Sequence, residues 1–128
     1  MPDSLFTDEW LSACNLALVG VPGTLAPSNG LVVTELVTGT HAGQHAAITL
    51  VADADGVRLT AGEDPAAAAW LTVSLLDAEA LHDGSLDPAR ALIEGRIRIR
   101  GDFRAVVDAM GLLAAAHEAL RARSTTAD

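Results

Sequence analysis

Apolar residues near the start of the chain recur at the spacing of an α-helix. Thr7 is a favourable N-cap, and Asp8 and Glu9 suit the positive end of a helix dipole. Gly20 interrupts this periodicity, and residues 22–30 have the composition of a loop. The sequence therefore predicts a first helix whose inner face carries Trp10, Ala13, Cys14, Ala17 and Leu18.

Short segments rich in Val, Leu, Ile and Thr follow this loop, separated by Gly, Asp and Pro. They predict four strands, at residues 31–38, 46–52, 57–61 and 68–73. The Asp-Ala-Asp-Gly sequence of residues 53–56 predicts a hairpin turn between the second and third strands.

The periodicity changes after the fourth strand. Ser74 and Asp77 have the spacing of an N-cap and an acid at the third helical position, which predicts a short helix. Asp87 followed by Pro88 predicts a second short helix, because proline fits the first helical turn. Gly95 is a natural residue to end that helix.

Residues 96–100 alternate between arginine and isoleucine, which is the clearest strand pattern in the chain. After Gly101 and Asp102, a last amphipathic helix is predicted to run from Phe103 to about Arg121. The order is helix, four strands, two short helices, one strand and one long helix. This order predicts an α+β fold, with hairpin-linked strands and helices on one side of the sheet.

The length of 128 residues fits one domain. We therefore expect a single domain over 1–128, with flexible ends at 1–6 and 122–128. No apolar run reaches the roughly 18 residues that a membrane span needs. The ends carry no secretory signal, lipidation motif or peroxisomal address. A single cysteine, Cys14, provides no disulfide framework, so a cytoplasmic location is expected.

The formal net charge is −9, and all eight basic residues are arginine. Binding to a phosphate backbone needs a basic surface, so no nucleic-acid partner is expected. The only aromatic residues are Phe6, Trp10, Trp70 and Phe103. A core of Ala, Val and Leu leaves two alternatives open, closely packed elements or an internal void.

The segment 68–113 resembles the second half of the sterol carrier protein 2 (SCP-2) sterol-binding family without gaps. The features of that family occur here in the same order and spacing: the strand Leu71-Thr72-Val73-Ser74, the acid Asp77, the apolar Leu81, the turn Gly84-x-Leu86-Asp87-Pro88, and the alternating strand and turn of residues 95–102. Residues 1–67 agree with the family only in their predicted layout.

The resemblance implies an α+β, SCP-2-like fold, with a five-stranded, mostly antiparallel sheet, helices packed on one face and a long C-terminal helix. It also implies non-catalytic binding or transfer of an apolar lipid, such as a fatty acid, acyl-CoA, sterol or phospholipid, in a tunnel between sheet and helices. Ala78, Leu92 and Ile93 stand where the family often has larger or more flexible side chains. This difference either widens the tunnel or lets the helices collapse inward.

The resemblance further implies which apolar residues line the tunnel, although the same faces also suit an ordinary core. The predicted lining residues are Leu71, Val73, Leu81, Leu92, Ile97, Ile99, Phe103, Val106, Val107, Met110 and Leu113. Arg96, Arg98 and Arg100 are candidates for contact with an anionic headgroup, because guanidinium binds phosphate bidentately. The alternative is a solvated strand face paired with nearby carboxylates.

No metal site, cofactor or catalytic group is predicted. His41 and His45 are four residues apart but lie around a predicted turn, where no further ligand is near in sequence. His82 is expected to be a partly buried histidine, and His117 is a candidate for the one polar group of the pocket. Cys14 is expected to be a buried structural thiol.

The expected partner is an apolar small molecule or lipid, with at most transient membrane contact. Two alternatives remain. One is an interaction module or homodimer with a closed tunnel. The other is a small enzyme that uses an unidentified acid–base residue such as His117, although no catalytic triad or dyad is visible in the sequence.

Overall fold

The computed structural model describes residues 6–19 and 30–112. The helices and strands in chain order are α1 (Asp8–Leu18), β1 (Leu31–Thr38), β2 (Ala47–Asp53), β3 (Gly56–Ala61), β4 (Ala69–Ser74), α2 (Leu75–Asp83), α3 (Pro88–Ile93) and β5 (Ile97–Gly101). A further helix, α4, occupies residues 103–112, up to the end of the described part. The predicted order of elements is confirmed, and each strand bound agrees to within one residue. The predicted extension of α4 to Arg121 lies outside the described residues.

Local hydrogen bonds fix the beginnings of the first three helices. The side chains of Thr7, Ser74 and Asp87 each accept a hydrogen bond from the backbone N–H three residues later, at 3.1, 3.2 and 3.1 Å. Each therefore satisfies a backbone donor that has no partner within its helix. Gly84 ends α2 with φ 85°, a left-handed conformation that glycine adopts without steric cost. The three predicted N-caps are confirmed.

The five strands form one mixed sheet in the order β3-β2-β1-β4-β5. Three of the four neighbouring pairs are antiparallel, and the central pair of β1 and β4 is parallel. After the β2–β3 hairpin the chain crosses back, and β4 pairs with the free side of β1. The α+β class and the mostly antiparallel sheet are confirmed. The parallel central pair goes beyond what the sequence pattern predicted.

Side chains on one face of the sheet, the inner face, pack against the helices. In β1 this face carries Leu31, Val33, Glu35 and Val37, which alternate with residues of the opposite face. The register places Glu35 beside Ile48 of β2 on one side and Leu71 of β4 on the other. Glu35 therefore lies in the middle of an apolar surface, and it is only 5% exposed.

Helix α1 covers the edge strand β3. The Asn15 side chain donates to the carbonyl of Leu59 at 2.8 Å and accepts from the N–H of Leu59 at 2.7 Å. These bonds occupy backbone groups that an edge strand would otherwise offer to another strand. The contact fixes the helix at one end of the inner face, so the cavities form toward β4 and β5.

The outer face of the sheet holds a buried hydrogen-bonded pair. The hydroxyls of Thr34 and Thr49 lie 2.8 Å apart, and both residues are fully buried. Thr49 donates to the carbonyl of Gly62 at 2.8 Å, so the proton between the two hydroxyls comes from Thr34. The pair links β1 and β2 to the turn that follows β3, and it satisfies both polar groups.

Candidate ligand cavity

Two cavities meet beneath the helical layer. The larger, the apolar groove, has a volume of about 510 Å³ and lies between α3, β5 and α4. It is lined by Asp87, Pro88, Ala89, Leu92, Ile93, Ile99, Phe103, Val106, Val107, Met110 and Gly111. The smaller, the inner pocket, has a volume of about 230 Å³ and is lined by Glu35, Leu71, Leu81, His82, Gly84, Leu86, Asp87, Pro88 and Met110.

The two cavities share Asp87, Pro88 and Met110 as walls. A small void of about 10 Å³ lies deeper on the inner face, and Met110 borders this void as well. Methionine is unbranched and has three rotatable bonds, so its side chain can move between alternative positions at small cost. Met110 therefore separates the groove from the pocket without fixing the boundary between them.

The structure brings most of the predicted lining residues to these cavities. Those at the groove are Leu92, Ile99, Phe103, Val106, Val107 and Met110, and those at the inner pocket are Leu71, Leu81 and Met110. Val73 and Ile97 are 2% and 3% exposed in the packed core, and they border neither cavity nor the void. Leu113 lies outside the described residues.

The rim of the groove exposes large apolar side chains to solvent. Ile93 is 86% exposed, and Phe103 and Val107 are each 51% exposed. Apolar side chains gathered at the mouth of a cavity are typical of ligand or partner surfaces. Covering them stabilises a complex by about 25 cal/mol for each Å² of apolar area removed from water. The groove therefore favours an apolar guest.

The inner pocket contains a buried ionisable pair that no sequence pattern predicted. The Nε2 atom of His82 lies 3.4 Å from Oε1 of Glu35, and the two side chains are 7% and 6% exposed. The residues are 47 positions apart, and His82 occupies the last turn of α2. Apolar residues flank Glu35 in sequence on both faces of β1, so no local pattern marked it as inward-facing.

Aromatic rings surround the imidazole of His82. The rings of Phe6 and Trp10 lie edge-on to it, with centroid distances of 5.6 and 5.4 Å, and to each other at 5.2 Å. Phe6, expected in a flexible N-terminal segment, is fully buried here. Its carbonyl accepts a hydrogen bond from the N–H of His45 at 2.7 Å. This packing limits the orientations open to the imidazole beside Glu35.

The arginines proposed for headgroup contact lie away from both cavities. Arg98 and Arg100 alternate with Ile97 and Ile99, so they point to the outer face of the sheet. The guanidinium of Arg100 stacks 4.6 Å above the ring of Trp70 on that face.

The third of these arginines, Arg96, forms ion pairs with nearby carboxylates. Arg96 lies 3.0 Å from Glu94 and 3.6 Å from Asp77. These positions agree with the alternative interpretation, a solvated strand face paired with local carboxylates.

The other described candidates for metal ligands or reactive groups, His41, His45 and Cys14, lie outside both cavities. His41 is exposed in a turn, whereas Nε2 of His45 lies 2.6 Å from Oδ1 of Asp8. In the described part of the chain, no group of three or more His, Cys, Asp or Glu side chains is arranged to hold a metal ion. Cys14 is buried, as predicted, and burial raises the pKa of its thiol to about 12. His117 lies beyond the described residues.

None of the helices within residues 6–19 and 30–112 has the length and apolar character that a membrane span requires.

Solved structures with the same fold support the architecture. The UbiJ-SCP2 ubiquinone synthesis protein superposes with a TM-score of 0.62 at 18% identity, over 92% of this chain and 97% of the other. Sterol carrier protein 2 from Yarrowia lipolytica, in its apo form, gives 0.59 at 16% identity, over 91% and 96%. Palmitated SCP2L2 from Aedes aegypti gives 0.58 at 17% identity, over 80% and 88%. At these identities the likeness shows the fold alone.

A comparison with curated proteins finds no match in sequence. The model of the SCP-2 sterol transfer family, however, matches residues 22–114, which include β1 to β5, the two short helices and the described part of α4. This match extends the resemblance seen in residues 68–113 into the first half of the sheet. The chain therefore belongs to the SCP-2 sterol transfer family.

Proposed function

We propose that this protein binds an apolar lipid non-covalently, with the lipid chain in the apolar groove, and carries it without chemical change. The observation that carries the proposal is the groove of about 510 Å³ with large apolar side chains exposed at its rim. Small-molecule pockets in proteins commonly have volumes of about 300–1,000 Å³. The groove has the size and the chemistry of such a site.

Family membership supports the same function, because domains of the SCP-2 sterol transfer family bind and transfer lipids. The solved structure of a structural neighbour, SCP2L2 from Aedes aegypti, is of the palmitated protein. Transfer requires a guest that can leave as well as enter. A groove partly open to solvent, next to a flexible methionine, suits that requirement.

Gly111 offers a direct test, because it lines the groove and lies on α4. No heavy atom comes within 4 Å of a Cβ built at this position. The backbone position therefore accepts a side chain, and the indole of a Gly111→Trp variant is expected to fill part of the groove. Tryptophan has a higher helix propensity than glycine, so the substitution does not weaken α4 and loss of binding would not reflect unfolding. Ser12→Trp, at an exposed position on α1, is the matched control.

The assay is displacement of a fluorescent fatty-chain probe, together with native mass spectrometry of the protein after incubation with a lipid extract. Wild type and Ser12→Trp are expected to bind with micromolar or better affinity, and Gly111→Trp about tenfold more weakly, equivalent to about 1.4 kcal/mol. Absence of any bound lipid in wild type, or equal affinity in Gly111→Trp, contradicts the proposal.

Self-association is a second candidate function, favoured by the same exposed side chains. Ile93, Phe103 and Val107 form an apolar surface that a second copy of the chain could cover. A specific interface of this kind buries at least about 1,000 Å² in total. Sedimentation velocity with and without lipid separates the two candidates. A dimer that persists without lipid and fails to bind the probe favours the interface.

A further inference from the structure

The polar end of the inner pocket has a defined chemical preference. Of the nine residues that line it, Glu35, His82 and Asp87 are ionisable, and none is an arginine. Glu35 and His82 are almost completely buried, whereas Asp87 lies at the junction with the groove. A buried carboxylate is costly unless hydrogen bonds satisfy it, so any acceptor sites that His82 leaves open beside the cavity favour a ligand that donates a hydrogen bond.

The Glu35–His82 pair leaves hydrogen-bonding capacity for such a ligand. Its 3.4 Å separation is longer than the roughly 2.7–2.9 Å of an optimised charge-assisted bond. The Nε2 atom of His82 is directed at Glu35. When this nitrogen carries a proton, that proton points to Glu35 and is not available to a ligand. A carboxylate has about four acceptor sites, and a single imidazole cannot fill them. The pocket is therefore rich in acceptors and suits a ligand that donates.

The acidic residues at the inner pocket also disfavour a negatively charged ligand. A ligand carboxylate placed beside Glu35 would bring two like charges close together, which is unfavourable at short range. Asp87 adds another acid where the pocket meets the groove. The formal net charge of −9 acts in the same direction. A hydroxyl group donates a hydrogen bond without this repulsion.

We propose that Glu35 and His82 form a recognition site for an uncharged, hydroxyl-bearing head group, and that they select such ligands against carboxylates with the same chain. The proposal rests on the proposed function, because the chain of the ligand would extend past Met110 into the apolar groove. It assigns the two cavities different roles. The inner pocket selects the head group, and the groove holds the apolar chain.

The experiment compares two probes that differ only in the head group, pyrene-dodecanol and pyrene-dodecanoic acid, at about pH 7 by fluorescence titration. Wild type is expected to bind the alcohol about tenfold more tightly than the acid, the range of one hydrogen bond to a charged acceptor. Glu35→Gln removes the charge and keeps the shape, so it is expected to reduce this ratio at least about fivefold. Glu79→Gln, at an exposed position on α2, makes the same change in net charge and should leave the ratio unaltered.

A second variant guards against misfolding of the first. The double substitution Glu35→Leu with His82→Phe replaces the buried pair by apolar side chains, a change that is often neutral or stabilising. This variant is expected to bind the alcohol about tenfold more weakly than wild type, with no comparable loss for the acid.

Three results overturn the head-group site. The first is equal affinity of wild type for the two probes, or tighter binding of the acid. The second is an unchanged ratio in both Glu35 variants. In either case the proposed lipid binding still stands. The third is failure of both probes to bind wild type, which removes the proposed function and the head-group site with it.

Discussion

Raising the pH should destabilise this protein through a single side chain. Cys14 is 4% exposed on the inner side of α1, and burial raises the pKa of its thiol from about 9.0 to about 12. The chain contains no lysine and no tyrosine, and arginine stays protonated above pH 12. Between about pH 9 and pH 12, Cys14 is therefore the only side chain expected to titrate.

The sign of the effect follows from the direction of the shift. The folded protein holds the thiol proton more tightly than the unfolded chain, so the free energy of unfolding falls wherever the unfolded thiol ionises first. The stabilisation is complete below the unfolded pKa near 9.0 and is lost as the pH rises toward about 12. Each pKa unit corresponds to about 1.4 kcal/mol, so the loss reaches about 3 kcal/mol near pH 11.

This loss is large relative to the roughly 5–15 kcal/mol that stabilises a typical domain. The assay is urea denaturation under reducing conditions, followed by the fluorescence of Trp10 and Trp70, at a series of pH values from about 8 to 11. The midpoint for wild type should fall steadily above about pH 9. Cys14→Ala starts from a lower stability because of the deleted Sγ, but its midpoint should stay nearly constant over this range.

Thiol labelling gives an independent measure, since a thiolate is the reactive species. Cys14 in the folded protein should react with Ellman's reagent near pH 8 far more slowly than in the urea-unfolded chain. Parallel stability curves for wild type and Cys14→Ala, or rapid labelling of the folded protein, would show that burial does not control this thiol.

Three further predictions concern stability. His82→Ala should lower the free energy of unfolding by about 3–5 kcal/mol, because it leaves Glu35 buried without its partner, whereas apolar replacement of both should cost little; chemical denaturation measures both, and equal losses would contradict the argument. Gly101→Ala should cost at least about 1–3 kcal/mol, because Gly101 has φ +95° and a Cβ would lie 2.5 Å from the carbonyl oxygen of Ala68; a melting temperature equal to that of wild type would refute it. Asp53→Asn should destabilise the protein slightly near neutral pH and not in acid, because the guanidinium of Arg58, 3.2 Å from the Asp53 carboxylate, holds the pKa of Asp53 below its usual range. That stabilisation is lost as the pH falls through the folded pKa, so acid titrations of both proteins that stay parallel would contradict the prediction.

The sequence was sufficient for the local structure because caps and turns involve residues only a few positions apart. The side chains of Thr7, Ser74 and Asp87 each bond to the third backbone N–H that follows, so the letters alone predicted where three helices begin. The alternation of residues 96–100 predicted β5 in the same way. The spaced motifs of residues 68–113 also led to the family, which the family model confirms.

The sequence could not separate cavity walls from packed core. Ile97 and Ile99 belong to one strand and one face, yet Ile97 is buried in the core and Ile99 lines the groove. Periodicity tells which face of an element is apolar, but not where along that face two layers separate. For the same reason, Val73 was predicted to line the cavity and instead packs in the core.

Only the tertiary structure brought together the two residues at the polar end of the inner pocket, Glu35 and His82. The parallel pairing of β1 with β4 and the position of α2 bring Glu35 and His82 within 3.4 Å, although they are far apart in sequence. Neither residue belongs to a local motif, and their positions depend on strand order and helix packing. The sequence by itself thus determined the elements and the family, because these follow from short-range patterns. The fold decided the chemistry of the cavity, because that chemistry depends on long-range contacts.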